Sequence, residues 1–400
     1  MKNKALKLTT LSMLMIGASQ FVQAEDSIRS TLPKFQAKEI PALCDAKIQQ
    51  VKTDLAAFEQ KKIKNNAKAA PVLAEWDQIF AKFEDFYGPI GLYSNVDPDE
   101  ALRKAAEDCE IKIMEFQTSV YQNPKLYEQI KKLKTNDEID KKMRQDILDG
   151  FENTGVQFTP EKRARLKAIF DELAKIEQEY ARNVRDNKEK LEFTPAELKG
   201  LPDNYISGLK KNEKGNYLLG FEYPEYRPFM ELAESDDARK RYQTAFTRRG
   251  TEKNLVLLKQ AMDLRYEIAQ LFGKKSYAEW VLQHRMAKDP ETVNKFLADV
   301  HQTVAPLEKK EVETLREFKA KSLKIPLEKA EINRWSESYW SEKLRKEKYQ
   351  IDQEKLRDYF PTQASQEWIF AISSDLYGIE FKPAKVDVWQ SEVEYYDVKD

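Results

Sequence analysis

The side chains best suited to metal or nucleophilic chemistry are few in this chain, which has two histidines and two cysteines among its 400 residues. His284 and His301 are 17 positions apart, which is about 260° around a helix at about 100° per residue, so they do not share a helical face. Neither belongs to a His-Glu-x-x-His sequence, the motif that sets two imidazoles and a general base around one zinc ion. We therefore interpret both as surface or packing residues and predict no catalytic, cofactor-binding or metal-binding residue.

Cys44 and Cys109 each lie on an apolar stripe with the three- and four-residue spacing of a helix. The stripes consist of Cys44, Ile48, Val51, Leu55 and Phe58, and of Leu102, Ala105, Cys109, Ile113 and Phe116. Two interpretations stay open: a Cys44–Cys109 disulfide that joins two N-terminal helices in an oxidising compartment, or two buried apolar thiols that never meet. Two cysteines alone cannot form a zinc site.

The first two dozen residues have the pattern of a secretory signal peptide. A basic start is followed by an apolar stretch from Leu8 to Val22, by the small residue Ala24 and by two acidic residues. This pattern predicts export, with cleavage after Ala24, to a compartment that is most simply the periplasm. The alternative is a retained membrane anchor, but the apolar stretch is short for a span.

The charge balance argues against a polyanionic partner for the chain as a whole. Lys and Arg number 67 against 68 Asp and Glu, and the formal net charge is −1. Binding to nucleic acid or to an anionic membrane would require a net basic surface or a basic block. We therefore predict no nucleic-acid partner and, after signal removal, no membrane partner.

The elements that would position any site are predicted to be mainly α-helical. Glycine is scarce, with 12 residues, and Leu, Ala, Glu and Lys are abundant, as is typical of helix. Helix starts are predicted at Asp97-Pro98-Asp99-Glu100, where Asp97 would be the N-cap and Pro98 the first helical residue, and at Thr159-Pro160, Thr194-Pro195 and Ser235. A few strands are predicted near 215–223 and 379–398. The last of these resemble the first strands of a sheet whose partners are not in the chain.

An ordered series of short motifs resembles the thimet oligopeptidase family of zinc metallopeptidases, which includes neurolysin and oligopeptidase A. The series begins near Arg239 and continues through Asn254, Leu264-Arg265, Leu271-Phe272-Gly273, Ser276-Tyr277-Ala278, Met286-Ala287, Phe296-Leu297, Trp335, Tyr339, Glu342-Lys343-Leu344-Arg345, Tyr359-Phe360-Pro361, Leu376-Tyr377-Gly378 and Val388-Trp389. The N-terminal half agrees more loosely, through Trp76-Asp77, Cys109-Glu110, Leu126-Tyr127 and Leu198-Lys199-Gly200.

The resemblance implies a helical body split by a channel that admits short peptides, with zinc as the cofactor of the full-length family. It also implies three segments: a signal peptide at 1–24, an N-terminal helical domain at 25–232, and at 233–400 the first part of the catalytic region. In the family the zinc helix lies beyond the position of Asp400, so the resemblance covers an N-terminal portion only. The missing C-terminal catalytic half would then be a partner, in addition to short peptides.

We therefore predict an exported protein related to zinc-dependent oligopeptidases that hydrolyse short peptides, and inactive in the form given because it lacks the zinc ligands. An alternative is a non-catalytic helical protein that binds peptides or a partner. A helical scaffold without a channel is a third interpretation.

Overall fold

The computed structural model describes residues 32–350, 353–386 and 388–400, and over these residues it is mainly α-helical, as predicted. The predicted signal peptide, 1–24, lies outside the described residues. Helices α1 to α15 are Ile40–Glu59, Ala69–Val96, Glu100–Tyr121, Pro124–Lys131, Glu138–Asn153, Pro160–Arg185, Asp203–Ser207, Tyr223–Leu232, Asp236–Thr247, Thr251–Leu271, Tyr277–Leu282, Pro290–Leu323, Glu337–Tyr349, Gln353–Leu356 and Thr362–Tyr377. Strands β1 to β7 are Ala67–Lys68, Leu133–Lys134, Leu191–Phe193, Lys210–Lys211, Tyr217–Leu219, Glu380–Pro383 and Tyr396–Lys399.

Several helices begin where the capping residues predict. The Thr159 hydroxyl accepts from the backbone N–H of Lys162 at the start of α6, and the Ser235 hydroxyl accepts from that of Ala238 at the start of α9. Each bond satisfies one of the backbone donors that a helix N-terminus leaves without an intrahelical partner.

The predicted start of α3 is wrong by two residues. The helix begins at Glu100, and the Asp99 carboxylate accepts from the N–H of Ala101 at 2.9 Å. The Asp97 carboxylate accepts instead from the N–H of Asp99 at 2.8 Å. Asp97 therefore closes a local turn, a role that Asp fills as readily as an N-cap, and Pro98 precedes the helix.

The chain divides into two compact units. The first contains the described part of Met1–Gln50 together with Phe80–Glu110 and Gln363–Asp400. Its core includes Cys44, Phe86 and Ile90. Elsewhere in this unit the ring of Phe370, on α15, stacks on Phe381 of β6 at 4.6 Å and packs edge-on to Tyr396 of β7 at the same distance.

The second unit contains Val51–Ile79 and Ile111–Thr362, and its core consists of separate clusters. One forms around Tyr242, where α8 and α9 pack with a three-stranded antiparallel sheet of order β3-β5-β4. The next joins α6 to α10 through aliphatic residues that include Leu166, Ile169 and Leu264. A further cluster holds Leu315, Tyr339 and Trp340, from α12 and α13. The sheet and these helix pairs position the residues considered below.

Strands form in both segments where the sequence predicts them. In the 215–223 segment the strand is Tyr217–Leu219, and α8 begins at Tyr223, with Pro224 in its first turn. At the C-terminal end β6 pairs antiparallel with β7, Glu380 opposite Lys399 and Pro383 opposite Tyr396. These two strands are therefore partners of each other, a pairing that the sequence interpretation did not include.

The division into segments 25–232 and 233–400 stays a prediction. Over the residues that the structure describes, no helix is both long enough and apolar enough to span a membrane.

Candidate functional site

The motif-bearing residues of the second unit converge on a buried arginine. Arg239, on α9, is 1% exposed. Its guanidinium donates to the carbonyl oxygen of Ala233, to that of Trp335 at 3.3 Å and to the Asp236 carboxylate at 2.7 Å. Its central carbon lies 4.0 Å from the centre of the Tyr339 ring. Burial lowers the pKa of Arg239, and the charge of Asp236 opposes that shift.

Asp236 connects this arginine to a second element. One carboxylate oxygen accepts from Arg239, and the other accepts from the indole N–H of Trp335 at 2.8 Å. Trp335 lies two residues before α13. A buried charge needs partners for its donors, and here two backbone carbonyls and a carboxylate provide them. The network therefore fixes the start of α13 against the first turn of α9.

Tyr242, one helical turn after Arg239, holds the same helix against the sheet. Its hydroxyl donates to the carbonyl of Gly220 at 2.5 Å, and its ring packs on Phe193 and Phe229. Burial is the main cause that raises the pKa of Tyr242, and the nearby Tyr205 and Glu225 add to it. This phenol therefore stays protonated and acts as a packing group.

Helix α10 is fixed on α6 by polar contacts at both ends of their interface. Near one end Arg165 donates two hydrogen bonds of 2.6 Å to Glu267, which lowers the pKa of Glu267 and raises that of Arg165. Near the other end the buried Asn254 amide donates to the carbonyl of Tyr180 at 3.1 Å and accepts from Asn183 at 2.8 Å. The contacted face of α10 is therefore well defined.

Helix α10 also carries apolar residues outside this contacted face, and they are exposed. The large apolar residues exposed on this helix are Leu255, Val256, Leu258, Met262 and Tyr266, and exposed charged residues such as Lys259 and Asp263 lie among them. Exposed apolar side chains grouped along one side of a helix mark a surface that can contact a further element.

Helix α12 shows a similar exposed row in its N-terminal half. This row contains Phe296, Leu297, Val300, Val304 and Leu307, which recur with helical spacing, and Phe296 is 65% exposed. Contiguous exposed apolar surface of this kind marks a site for another protein segment or a ligand. We refer to the exposed residues of α10 and α12 named here as the open apolar rows.

The two histidines stay apart from this network. His284 lies in a turn after α11, with its Nδ1 3.4 Å from the Asp149 carboxylate, and His301 is exposed on α12. Within residues 32–350, 353–386 and 388–400, no group of three His, Cys, Asp or Glu side chains is placed to hold a metal ion. The described residues therefore do not fit the tetrahedral zinc site that the sequence resemblance implies for the full-length family.

The two cysteines are both buried, and the structure joins them. Cys44 and Cys109 form a disulfide in the first unit, with their Cα atoms 5.9 Å apart. The bond links α1 to α3 across 65 positions of sequence. It is a covalent constraint on packing, remote in sequence from the Arg239 network.

The chain resembles known peptidases along most of its length. Residues 229–400 match the family model described as peptidase family M3. The chain is 29% identical over 350 residues to oligopeptidase A of Salmonella typhimurium, covering 82% of this chain and 50% of that protein, and it has the same identity and coverage with oligopeptidase A of Escherichia coli. It is 27% identical over 348 residues to saccharolysin of Saccharomyces cerevisiae, covering 81% and 49%. The resemblance predicted from the ordered motifs is confirmed.

The chain spans about half the length of each of these relatives.

The ordered motifs pointed to Arg239, Trp335 and Tyr339 but not to their contacts. Nothing in the spacing showed that Arg239 would be buried or that Asp236 would join it to Trp335, because the two segments are 99 positions apart.

Proposed function

We propose, from the premise that residues 229–400 form a region of peptidase family M3, that this chain is part of a zinc-dependent oligopeptidase that hydrolyses short peptides. The observation that carries the proposal is the family match, together with relatives named oligopeptidase A that align over 82% of the chain. Because the chain spans half of those relatives, their activity is extended here to a longer protein that contains this sequence.

The proposed contribution of this chain is a helical wall. In such a peptidase, zinc would polarise the scissile carbonyl and activate a water molecule, but the described residues do not provide its ligands, and no step is assigned to them. They fix the start of α13 against α9 through Arg239 and Asp236, and they fix α10 against α6 through Asn254. The open apolar rows support the idea that further protein packs on α10 and α12.

A metal and activity assay tests the proposal that this chain forms a helical wall and does not provide the zinc ligands. The chain alone should retain far less than one zinc per molecule after dialysis, and it should not cleave a quenched-fluorescent peptide. One tightly held zinc per chain with chelator-sensitive turnover would refute it.

The coding sequence beyond the codon for Asp400 provides the positive test. A continuous frame that encodes His-Glu-x-x-His should give a longer protein that cleaves the quenched peptide, leaves a folded protein intact and loses activity with a zinc chelator. A longer product that contains the motif but has no peptidase activity would contradict the proposal.

We propose in addition that the protein is exported to the periplasm and cleaved after Ala24. Support comes from the basic, apolar and small-residue order of 1–24, and from a Cys44–Cys109 disulfide that suits an oxidising compartment. N-terminal sequencing of protein from an osmotic-shock fraction should begin at Glu25. Recovery from the cytosol with Met1 intact would contradict it.

A further inference from the structure

An open, strongly basic cleft lies in the second unit, between the β1–β2 pair and the N-terminal half of α5. Its volume is about 980 Å³, within the range of ligand sites. Six basic side chains line it: Lys131, Lys132, Lys134, Lys141, Lys142 and Arg144. Two acidic residues, Glu128 and Glu138, also line it. The cleft is thus net positive, although the whole chain is almost neutral.

The positive charge of the cleft is only partly neutralised. Glu128 pairs with Lys131 at 3.7 Å and Glu138 with Lys141 at 2.6 Å, and these exposed pairs are weak. Lys142 pairs with Asp146, which lies outside the cleft. The described residues offer no ion pair to Lys132 or Lys134.

Arg144 is held by backbone atoms instead of a carboxylate. Its guanidinium donates to the carbonyl oxygens of Ile130 at 3.3 Å and Lys131 at 2.8 Å. These bonds fix its position and leave its full charge at the cleft.

Strand pairing adds a repulsive contact beside the cleft. In the parallel β1–β2 pair Lys68 stands directly opposite Lys134, and both are exposed. Like charges on paired positions destabilise a sheet. An anion between them would convert this repulsion into attraction.

The same helix carries an apolar groove next to the cleft. The groove has a volume of about 600 Å³ and is lined by the apolar or aromatic residues Tyr121, Ile139, Met143 and Ile147, by Asp146, which pairs with Lys142, and by Glu138 and Lys142, which also line the cleft. Ile139 is 79% exposed although it lies in the first turn of α5. A ligand that fills both surfaces must therefore present negative charge beside an apolar group.

We propose that this face of α5 is a docking site for an acidic peptide segment that carries an apolar side chain. The carboxylates would lie over Lys132 and Lys134, and the apolar side chain would pack against Ile139 and Met143. Inorganic phosphates lack the apolar group. A nucleic acid would place its bases on aromatic rings, but none of the described residues that line the basic cleft is aromatic, and the groove offers Tyr121 beside three aliphatic or thioether side chains, which suit an apolar side chain better. The inference goes beyond the proposed peptidase function, and no step of it depends on zinc.

Fluorescence anisotropy with labelled peptides tests the site. A peptide of alternating Glu and Leu should bind the intact chain, and its analogue with Gln in place of Glu should not. The double substitution Lys132→Glu and Lys134→Glu should weaken binding about tenfold or more, which corresponds to about 1.4 kcal/mol. Ile139→Ser should weaken it severalfold while leaving the salt dependence unchanged.

The matched control is the double substitution Lys309→Glu and Lys310→Glu, which makes the same charge change at exposed positions of α12. It should leave affinity for the acidic peptide unaltered, and circular dichroism should show equal helix content in all variants. The proposal is overturned if the control weakens binding as much as the cleft variant, or if no variant changes it. It is also overturned if tripolyphosphate or a single-stranded oligonucleotide competes as well as the peptide and Ile139→Ser has no effect.

Discussion

At the scale of single residues, Arg239 joins segments that are distant in the sequence. It is buried, and it satisfies two backbone carbonyls and one carboxylate that belong to different segments. The planar guanidinium can reach all three at once, whereas an ammonium group cannot reproduce that fork. Its role follows from geometry that only the folded chain provides.

We expect Arg239→Lys to lower the free energy of unfolding by about 2–3 kcal/mol, because buried acceptors lose their donors. The control is Arg227→Lys, because Arg227 is an exposed arginine that pairs with Glu231 one turn away on α8. This change should cost about 0.5 kcal/mol or less. Urea denaturation of both variants measures the difference. Equal effects from the two substitutions would show that the Arg239 network does not stabilise the fold.

The Cys44–Cys109 disulfide leads to a second prediction at this scale. Replacing both cysteines by Ala should lower the free energy of unfolding by about 2–4 kcal/mol, since the unfolded chain regains the freedom that the bond removes. A thiol assay on the protein without substitutions, carried out in denaturant, should find no free thiol before reduction and two free thiols after it. Two free thiols without a reductant would contradict the bond.

The sequence predicted part of this residue-scale picture. Spacing of three and four predicted that both cysteines would be buried, and both are. It left their pairing open, because helical periodicity fixes which face of a helix a residue occupies but not which helix lies opposite. The same limit hid the contact between Asp236 and Trp335, which depends on tertiary packing.

At the scale of elements, helix boundaries follow local chemistry and are the part most readily predicted. Thr159 and Ser235 cap their helices as expected. Asp97 does not cap α3, because Asp99, two residues later, takes the capping position. Each of the two carboxylates accepts a hydrogen bond from one backbone N–H group. Strand pairing between β6 and β7 was missed, since register depends on how the intervening residues turn.

Asn123 illustrates a cap that also joins two helices. Its side-chain oxygen accepts from the N–H groups of Lys125 and Leu126 at the start of α4, and its amide nitrogen donates to Glu59 of α1 at 2.8 Å. We expect Asn123→Ala to cost about 1 kcal/mol or slightly more. Asn123→Ser should recover most of the cap but not the bond to Glu59. Thermal unfolding of the unmodified chain and the two variants separates the contributions. A lower midpoint for Asn123→Ser than for the unmodified chain reports the link to α1, and equal midpoints for these two proteins would argue against that link.

The same junction predicts a pH dependence. Hydrogen bonds from Lys125 at 2.7 Å and from Asn123 lower the pKa of Glu59 below its ordinary value of 4.5. Because the folded pKa is depressed, the stabilisation is complete above the unfolded pKa and is lost as pH falls through the folded pKa. Glu59→Gln should therefore cost about 0.5 kcal/mol at pH 7, a small value because Lys125 is exposed, and the cost should shrink as the pH falls below 4.5 and through the lower pKa of the folded state.

Lys125→Met provides the matched test of that mechanism. If the Lys125 hydrogen bond is the main cause, this variant should show the same loss at pH 7 and the same convergence in acid. In the double variant the two losses should not add. A cost of Glu59→Gln that stays constant from pH 3 to pH 7 would exclude the charge of Glu59 as its source.

At the scale of the whole molecule, composition predicted the fold class but did not reveal how charge is distributed over the surface. Scarce glycine and abundant helix formers predicted the mainly α architecture. A net charge of −1, however, averages over a surface on which the basic residues of α4, β2 and α5 collect at one cleft. Composition has no spatial resolution, so it did not show that six basic residues between Lys131 and Arg144 line one cleft.

The open apolar rows of α10 and α12 predict how the chain behaves in isolation. Met262 is 61% exposed and Phe296 is 65% exposed, and burial of such side chains is favourable by roughly 25 cal/mol per Å² of apolar surface. We therefore expect the chain alone to self-associate with increasing concentration in light scattering. The double substitution Met262→Glu and Phe296→Glu should shift it towards monomer, because a buried unpaired carboxylate is costly.

The matched control is Gln260→Glu with Gln302→Glu, which adds the same charge at exposed polar positions of the same two helices and should leave association unchanged. If the polar control also disperses the chain, net charge and not the apolar rows governs association. If the unmodified chain is monomeric at every concentration, these rows do not drive association, and the packing role proposed for them loses its support.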